Sequence, residues 1–341
     1  METVRWGIIG CGDVTEVKSG PALQLAQASE LVAVMRRNRE LAADYARRHD
    51  VPKWYDDADQ LIADPEVNAV YVATPPGSHC DYALAVAESG KPAYVEKPMA
   101  RNHDECVAMI QAFRQREVKL FVAYYRRELP RFLKAKELID TGCLGTVTSI
   151  DYRYAEQHRD VDPNDLPWRL QAEHSGGGLF FDLGSHALDL LDFLLGPLAV
   201  VGGTANNLAA AHDVEDNVVM HFRTESGIPG TASWNFASWQ QKDRITVTGT
   251  SGKMTFSVFG NEPVRCDTGD NHEVFELPNP QHIQQPMIQT IVNDLLGRGV
   301  CKSTGESAAR TAAVMDAVTT NYYGTRDSGF WLRSSDWPAR Q

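Results

Sequence analysis

The 341 residues exceed one ordinary core and suit two domains, and a 43% hydrophobic content supports packed globules rather than wholesale disorder. Lys and Arg number 33 against 45 Asp and Glu, a net charge of −12 with no basic stripe, so no nucleic-acid partner is expected. No run of about 18 apolar residues is present to span a membrane.

The opening METVRWGIIG enters a strand at once, without the basic and apolar regions of a secretory leader. Val4–Ile9 is that first strand, and Gly10-Cys11-Gly12-Asp13-Val14-Thr15 leads from it into a helix predicted over 16–28. Gly10 permits a tight turn and Gly12 lets the backbone approach a pyrophosphate. Asp13 and Val14 open a helix whose free N–H groups face the anion. Thr15 stands where this fingerprint usually has a third glycine, so a slightly wider helix–strand contact is expected. The second strand, 31–35, ends at Arg36-Arg37-Asn38. A carboxylate here would hold a ribose 2′-hydroxyl, whereas arginines suit a 2′-phosphate and donate bidentately. NADP rather than NAD is therefore the expected cofactor.

Further strands at 69–73, Ala93–Val95 and 119–123 alternate with helices at 39–49, 79–89 and 103–116. Strands alternating with such helices predict a doubly wound parallel sheet, a Rossmann domain over 1–123. Near-continuous apolar strands fit a sheet covered on both faces.

From 124 to 341 the pattern changes and marks a second domain. A helix over 129–140 stops at Thr141-Gly142, a strand over 146–155 follows, and a Pro-rich loop spans 161–168. A helix over 179–195 precedes successive strands between 199 and 275, including 217–223, 229–236, 244–248 and 253–258. Short turns between consecutive strands favour an antiparallel sheet. Helices over 284–296 and 304–323 close the chain. The cysteines (Cys11, Cys80, Cys106, Cys143, Cys266 and Cys301) form no CxxC and no zinc-spaced cluster. No metal is expected, and scattered thiols fit a reducing cytoplasm.

Four segments taken together resemble the glucose–fructose oxidoreductase / inositol dehydrogenase / rhizopine-catabolism (Gfo/Idh/MocA) family. They are the phosphate loop, Ala73-Thr74-Pro75-Pro76-Gly77-Ser78-His79, Gly90-Lys91-Pro92-Ala93-Tyr94-Val95-Glu96-Lys97-Pro98, and Gly176-Gly177-Gly178-Leu179-Phe180-Phe181-Asp182-Leu183-Gly184-Ser185-His186. The similarity runs on to Ser303-Thr304-Gly305-Glu306-Ser307. It implies a Rossmann domain followed by an α/β domain with a large open, mainly antiparallel sheet, and a homodimer or homotetramer joined through that sheet. It also implies that Lys97, Asp182 and His186 form the catalytic group, with Glu96-Lys97-Pro98 beside the nicotinamide. Thr74, Pro75 and His79 fall on the cofactor side, and Trp168-Arg169 looks similar to a pair that holds the nicotinamide end in some branches.

These residue types suit hydride transfer at an alcohol carbon. A histidine titrates near working pH and can move the hydroxyl proton. An ammonium steadies developing alkoxide charge. Asp182 and His186 lie four apart, on one face of a helix, where the aspartate could orient the imidazole or bind a neighbouring hydroxyl. Tyr125, Arg126, Tyr154, His158, Arg169 and Trp234, with Asp182 and His186, are the candidates for holding a sugar-like substrate. The expected activity is an NADP-preferring oxidoreductase acting on a sugar, polyol or dihydrodiol. Two alternatives share the plan: a reductase of a non-sugar carbonyl or imine, and a catalytically silent NADP-binding regulator. Intact Lys97, Asp182 and His186 argue against the silent regulator.

Overall fold

Trp6, Ile8 and Ile9 of β1 (Val4–Ile9) are wholly withdrawn from solvent, as a strand requires when helices cover both faces of its sheet. The computed structural model describes residues 2–327 and 329–340, which divide into two units. The first gathers the residues to Ala100 with Asp104–Tyr125 and Pro280–Ala309; the second gathers Arg101–His103, Arg126–Asn279 and the residues from Arg310 on. The sequence reading closed the first domain at 123 and gave everything later to the second. The first unit instead takes back Pro280–Ala309.

In the first unit β1 is followed by α1 (Gly20–Leu25), β2 (Ser29–Met35), α2 (Arg39–Arg48), β3 (Lys53–Tyr55) and α3 (Ala58–Ala63). Then come β4 (Ala69–Val72), α4 (His79–Glu88), β5 (Ala93–Val95), α5 (His103–Gln115) and β6 (Leu120–Val122). The strands pair in parallel in the order β3-β2-β1-β4-β5-β6. That is the doubly wound order, and ligands bind beyond the carboxyl ends of its strands where the order reverses, here between β1 and β4. A π-helical turn over Thr15–Ser19 precedes α1, so the helix expected over 16–28 is shorter and locally wider. β3 and α3 had no counterpart in the sequence reading. Three residues, Lys53-Trp54-Tyr55, are too few to display alternation, and α3 is identified by its cap, Asp57 accepting from the Asp59 N–H at 2.9 Å.

The second unit adds α6 (Pro130–Asp140), β7 (Val147–Gln157), α7 (Ala172–Ser175), a π-helical turn over Phe180–Gly184, α8 (Ser185–Leu195), β8 (Leu198–Asn206) and β9 (Asn217–Thr224). β10 (Pro229–Ser238), β11 (Lys242–Gly249), β12 (Lys253–Phe256), β13 (Val264–Thr268) and β14 (Asn271–Phe275) complete its sheet. The order is β14-β13-β12-β11-β7-β10-β9-β8, antiparallel except where β7 meets β10. That one parallel pair arises because a long excursion through α7 and α8 separates β7 from the β8–β10 meander. Residues alternate across it: Val218, Met220 and Phe222 of β9 are buried while Val219, His221 and Arg223 face outward. α9 (Gln285–Leu295) packs Met287, Ile288, Ile291 and Val292 into the first unit, and α10 (Gly305–Tyr323) begins in the first unit and ends in the second.

α8 is buried along nearly its whole length despite carrying two aspartates. Arg127 forks onto Asp189, Nε to Oδ2 at 2.8 Å and Nη2 to Oδ1 at 2.6 Å, and reaches Asp192 at 3.3 Å. Arg310 forks onto the same Asp192 at 2.8 and 2.7 Å. These pairs are what allow charge inside the core.

Candidate active site

Each unit carries one half of the predicted constellation, starting in the first with the loop after β1. Gly10 has φ +89°, open to glycine, and the N–H groups of Gly10 and Cys11 donate to Met35 O at 2.9 and 3.1 Å. Thr15 closes the loop with its hydroxyl, which accepts from Gly12 N at 3.0 Å and donates to Gly12 O at 2.8 Å. Its carbonyl, in the π-helical turn, accepts from Tyr45 OH at 2.9 Å. A Cβ at Gly12 would meet only Gly10 O, at 3.9 Å, so the loop presents bare backbone to open space that a side chain would fill. A dinucleotide pyrophosphate fits that cradle, with exposed Asp13 and half-buried Val14 at the helix start. Arg36 is half-buried and acts electrostatically on Cys11 in the loop, while Arg37 is exposed.

Beyond β4, half-buried Thr74 accepts from Ser78 Oγ at 2.8 Å and Pro75 is exposed. His79 is fully buried, Nε2 lying 2.6 Å from Thr74 O and Nδ1 3.0 Å from Pro98 O. It is a strut between the loop after β4 and the segment after β5, and burial pushes its pKa down. Glu96 is the hub of that segment. Its Oε1 accepts from Tyr71 OH at 2.6 Å and Gln284 Nε2 at 2.7 Å, and its Oε2 accepts from Lys97 N at 3.1 Å. Lys97 is half-exposed and joined to Pro98 by a cis peptide bond, and Tyr125 is buried. Tyr71 and Gln284 were not foreseen; Gln284 lies 188 residues from the carboxylate it serves.

In the second unit the chemistry centres on the turn into α8. Asp182 lies in the π-helical turn and His186 in the first turn of α8. Asp182 Oδ2 accepts from Arg169 Nε at 2.9 Å, and the Arg169 guanidinium lies 4.3 Å from the Trp168 ring. His186 is buried, with Arg126 Nη1 3.4 Å from each ring nitrogen. Arg126 donates Nε to Val258 O at 3.1 Å and lies 4.5 Å over Phe259, which meets the His186 ring edge-on at 5.9 Å. Tyr154 packs edge-on against Phe259 at 5.3 Å and donates to Glu156 at 3.2 Å. Arg126, Tyr154 and His186 therefore share one cluster built on Phe259, a residue without local sequence signal. Trp234 is corrected: it is fully buried against Tyr152 and Phe180, in the core and not in a cleft. His158 is exposed, its Nε2 3.7 Å from Asp160.

The triple glycine ahead of Asp182 is a matter of space more than freedom. Gly176 alone has positive φ, +84°, and a Cβ there would meet Arg101 O at 2.6 Å. A Cβ at Gly177 would strike the Phe181 ring, and one at Gly178 the Glu215 carbonyl. Glu215 is buried and accepts from Gly178 N at 2.9 and 2.8 Å and from Tyr323 OH. Burial pushes its pKa up to about 7, against the Tyr323 and Gly178 hydrogen bonds. The folded chain therefore holds this proton more tightly than the unfolded chain, and stability from this group is lost as pH rises from about 4.5 to about 7. Melting curves from pH 5 to 8 should show a falling component in the wild type that Glu215→Gln lacks. Equal slopes in both proteins would refute that assignment.

Among the described residues no group of three or more His, Cys, Asp or Glu could hold a metal ion, and no helix is long and apolar enough to cross a membrane. Residues 4–124 match an oxidoreductase family with an NAD-binding Rossmann fold, GFO/IDH/MocA, and residues 132–255 match the GFO/IDH/MocA C-terminal domain. The chain is 38% identical over 317 residues to "Oxidoreductase P35" of Formosa agariphila, covering 92% of this chain and 97% of that one. It is 30% identical over 262 residues to "D-xylose 1-dehydrogenase [NADP(+)]" of Haloarcula marismortui, covering 74% and 71%. Among solved structures, a levoglucosan dehydrogenase in complex with NADH superposes with a TM-score of 0.83 at 23% identity, over 93% of this chain and 96% of that one.

Proposed function

Since the chain belongs to the GFO/IDH/MocA family of oxidoreductases, we propose that it moves a hydride between a nicotinamide cofactor and the CH–OH or carbonyl carbon of a sugar-like, polyol or dihydrodiol substrate, with NADP preferred over NAD. The observation that carries the reading is the second unit's histidine, seated among Arg126, Phe259 and Tyr154 one turn after an aspartate that Arg169 holds. A titratable ring among donors and aromatic faces is equipped to bind hydroxyls and to move their protons.

When bound, the nicotinamide supplies or accepts the hydride. The chain's own residues manage everything else. Gly12 and the helix start that follows it hold the pyrophosphate, and Arg36 with Arg37 holds the 2′-phosphate. Thr74 and Pro75 border the nicotinamide side, with His79 keeping that loop in place from within and Trp168 and Arg169 at the nicotinamide end. His186 takes the hydroxyl proton in oxidation and returns it in reduction. The Lys97 ammonium, its backbone fixed by Glu96, steadies charge developing on the substrate oxygen. Asp182 and Arg126 orient neighbouring hydroxyls, and Tyr125 and Tyr154 shape the sides. Copies of the chain associate through the outward face of the eight-stranded sheet, as a dimer or tetramer, in a cytoplasm that keeps the cysteines as thiols.

Absorbance of NADPH, followed against aldoses, anhydro sugars, inositols and diols, tests the reaction class. Cofactor binding without turnover on any of them would overturn it. The cofactor preference has its own test. Charged hydrogen bonds to a 2′-phosphate are worth about 1.5–3 kcal/mol, so kcat/KM for NADP should exceed that for NAD by roughly tenfold to a hundredfold. Arg36→Ala should collapse the ratio, and a clear NAD preference in the wild type would refute the assignment.

A further inference from the structure

Past the end of α10 the chain turns inward and buries a guanidinium that the reaction as proposed does not use. The Arg326 side chain is 1% exposed. Its Nε donates to Asp316 Oδ1 at 2.6 Å, and its Nη2 donates to two backbone carbonyls, Arg101 O at 2.7 Å and Gly176 O at 2.5 Å. Three aromatic rings box it in, with the guanidinium carbon 4.1 Å from Phe181, 4.1 Å from Phe330 and 4.8 Å from Tyr323. Nη1 has no hydrogen-bond partner and lies among those π faces, which take up part of its charge.

The two carbonyls belong to segments of consequence. Arg101 stands four residues after Lys97, and Gly176 six residues before Asp182. The stretch Arg101–His103 is clamped at several further points of the second unit. His103 N donates to Asp316 Oδ2 at 2.8 Å, Asn102 Nδ2 to Asp327 O at 3.2 Å, and Arg101 Nη1 to Glu173 O at 3.2 Å. The Arg101 guanidinium also lies 3.6 Å from the Trp331 ring. Gly176 is glycine because the Arg101 backbone leaves no room for a Cβ there. Arg326 donates to both backbone segments where they touch.

We propose that Arg326 is a positioning residue for the hydride-transfer reaction, its planar fork holding in one grip the Arg101–His103 stretch and the glycine loop that leads to Asp182 and His186. The inference rests on the roles given to Asp182 and His186 above. Only a guanidinium meets the requirement. It presents several donors in fixed directions to one carboxylate and two carbonyls, and its flat faces suit the rings; an ammonium is a compact point charge that can do neither in the same place. A misplacement of about 1 Å costs about 10²-fold in rate, so the fork sets turnover more than binding.

The test uses the whole enzyme, in four forms. Arg326→Lys keeps the charge, Arg326→Ala leaves a cavity for added methylguanidine, Arg333→Ala is a control on the same tail, and His186→Asn checks the catalytic reading. The substrate is the best-turned-over compound of the panel above. The expected result is a fall of about 10²-fold in kcat for Arg326→Lys, with KM and NADPH affinity held near wild type and the variant still folded at the assay temperature. Methylguanidine should restore part of the lost kcat in Arg326→Ala and nothing in His186→Asn. Amide hydrogen exchange should quicken together in peptides covering 99–103 and 174–186 of both Arg326 variants, and not in Arg333→Ala. Wild-type kcat in Arg326→Lys, or unchanged exchange in those two peptides, would overturn the proposal. So would a loss that runs in parallel with melting temperature and NADPH affinity and resists rescue. If His186→Asn turns over normally, the catalytic reading fails, while the exchange result still decides whether Arg326 holds the two segments.

Discussion

Replacing His186 with asparagine is expected to lower kcat by about 10²–10⁴-fold, the usual worth of a positioned acid–base group, and to leave NADPH affinity unchanged. Asparagine keeps comparable bulk and a hydrogen-bonding amide against Arg126 but cannot exchange a proton near neutral pH. Lys97→Ala should fall in the same range for a different reason. It removes the cation opposite the developing oxygen charge while Glu96 still anchors the backbone through the Lys97 N–H, 3.1 Å away. Steady-state rates together with fluorescence titration of NADPH separate chemistry from binding. Both variants turning over at close to the wild-type rate would remove these roles.

The largest stability effect is expected at Arg127. Its side chain is 4% exposed and that of Asp189 1%, so Arg127→Met would leave a buried carboxylate without its fork. Breaking such a pair costs about 3–5 kcal/mol. Burial pushes Asp189 up to about 6 even with Arg127 beside it, while Asp189 and Asp192 keep Arg127 charged against its own burial. The sign follows from that direction. A carboxyl whose folded pKa stands above its unfolded value of 3.8 favours folding at low pH and costs stability as pH rises through about 6. Without Arg127 the folded value climbs further, so the penalty should be larger at pH 8 than at pH 5, where Asp189 takes up a proton. Urea unfolding at the two pH values measures it. A loss that does not change with pH would show that Asp189 is not the stranded charge. Arg127→Met with Asp189→Leu should recover much of the stability, because an apolar pair of similar volume no longer strands a charge.

Legibility in the sequence followed the range of the interactions involved. β1 and β5 lie where their continuous apolar runs place them, and the helix expected over 179–195 is a π-helical turn over Phe180–Gly184 that runs into α8. The doubly wound order followed from strands alternating with helices, and the tight turn after β1 from its glycines. What escaped was either too short or too distant. β3 has three residues, and the π-helical turns at Thr15–Ser19 and Phe180–Gly184 have no pattern distinct from an α-helix. The pairs Glu96 with Gln284, in the first unit, and Arg126 with His186, in the second, span 188 and 60 residues, and nothing local announces them. Trp234 is instructive in the other direction. Ala232, Trp234 and Phe236 alternate on β10 and are all buried, so the period of two already placed this tryptophan on the packed face.

The return of Pro280–Ala309 to the first unit bears on how the protein is made. A chain emerging from the ribosome presents its nucleotide-binding sheet early, but the Glu96 carboxylate waits for Gln284, and Val122 O waits for the Ser303 hydroxyl. The first unit stays unfinished until Pro280–Ala309 has been made. Completion of the nucleotide-binding sheet's surroundings is thereby tied to residues made long after the sheet itself, and a product that stops before Gln284 would leave the Glu96 carboxylate short of one of its donors.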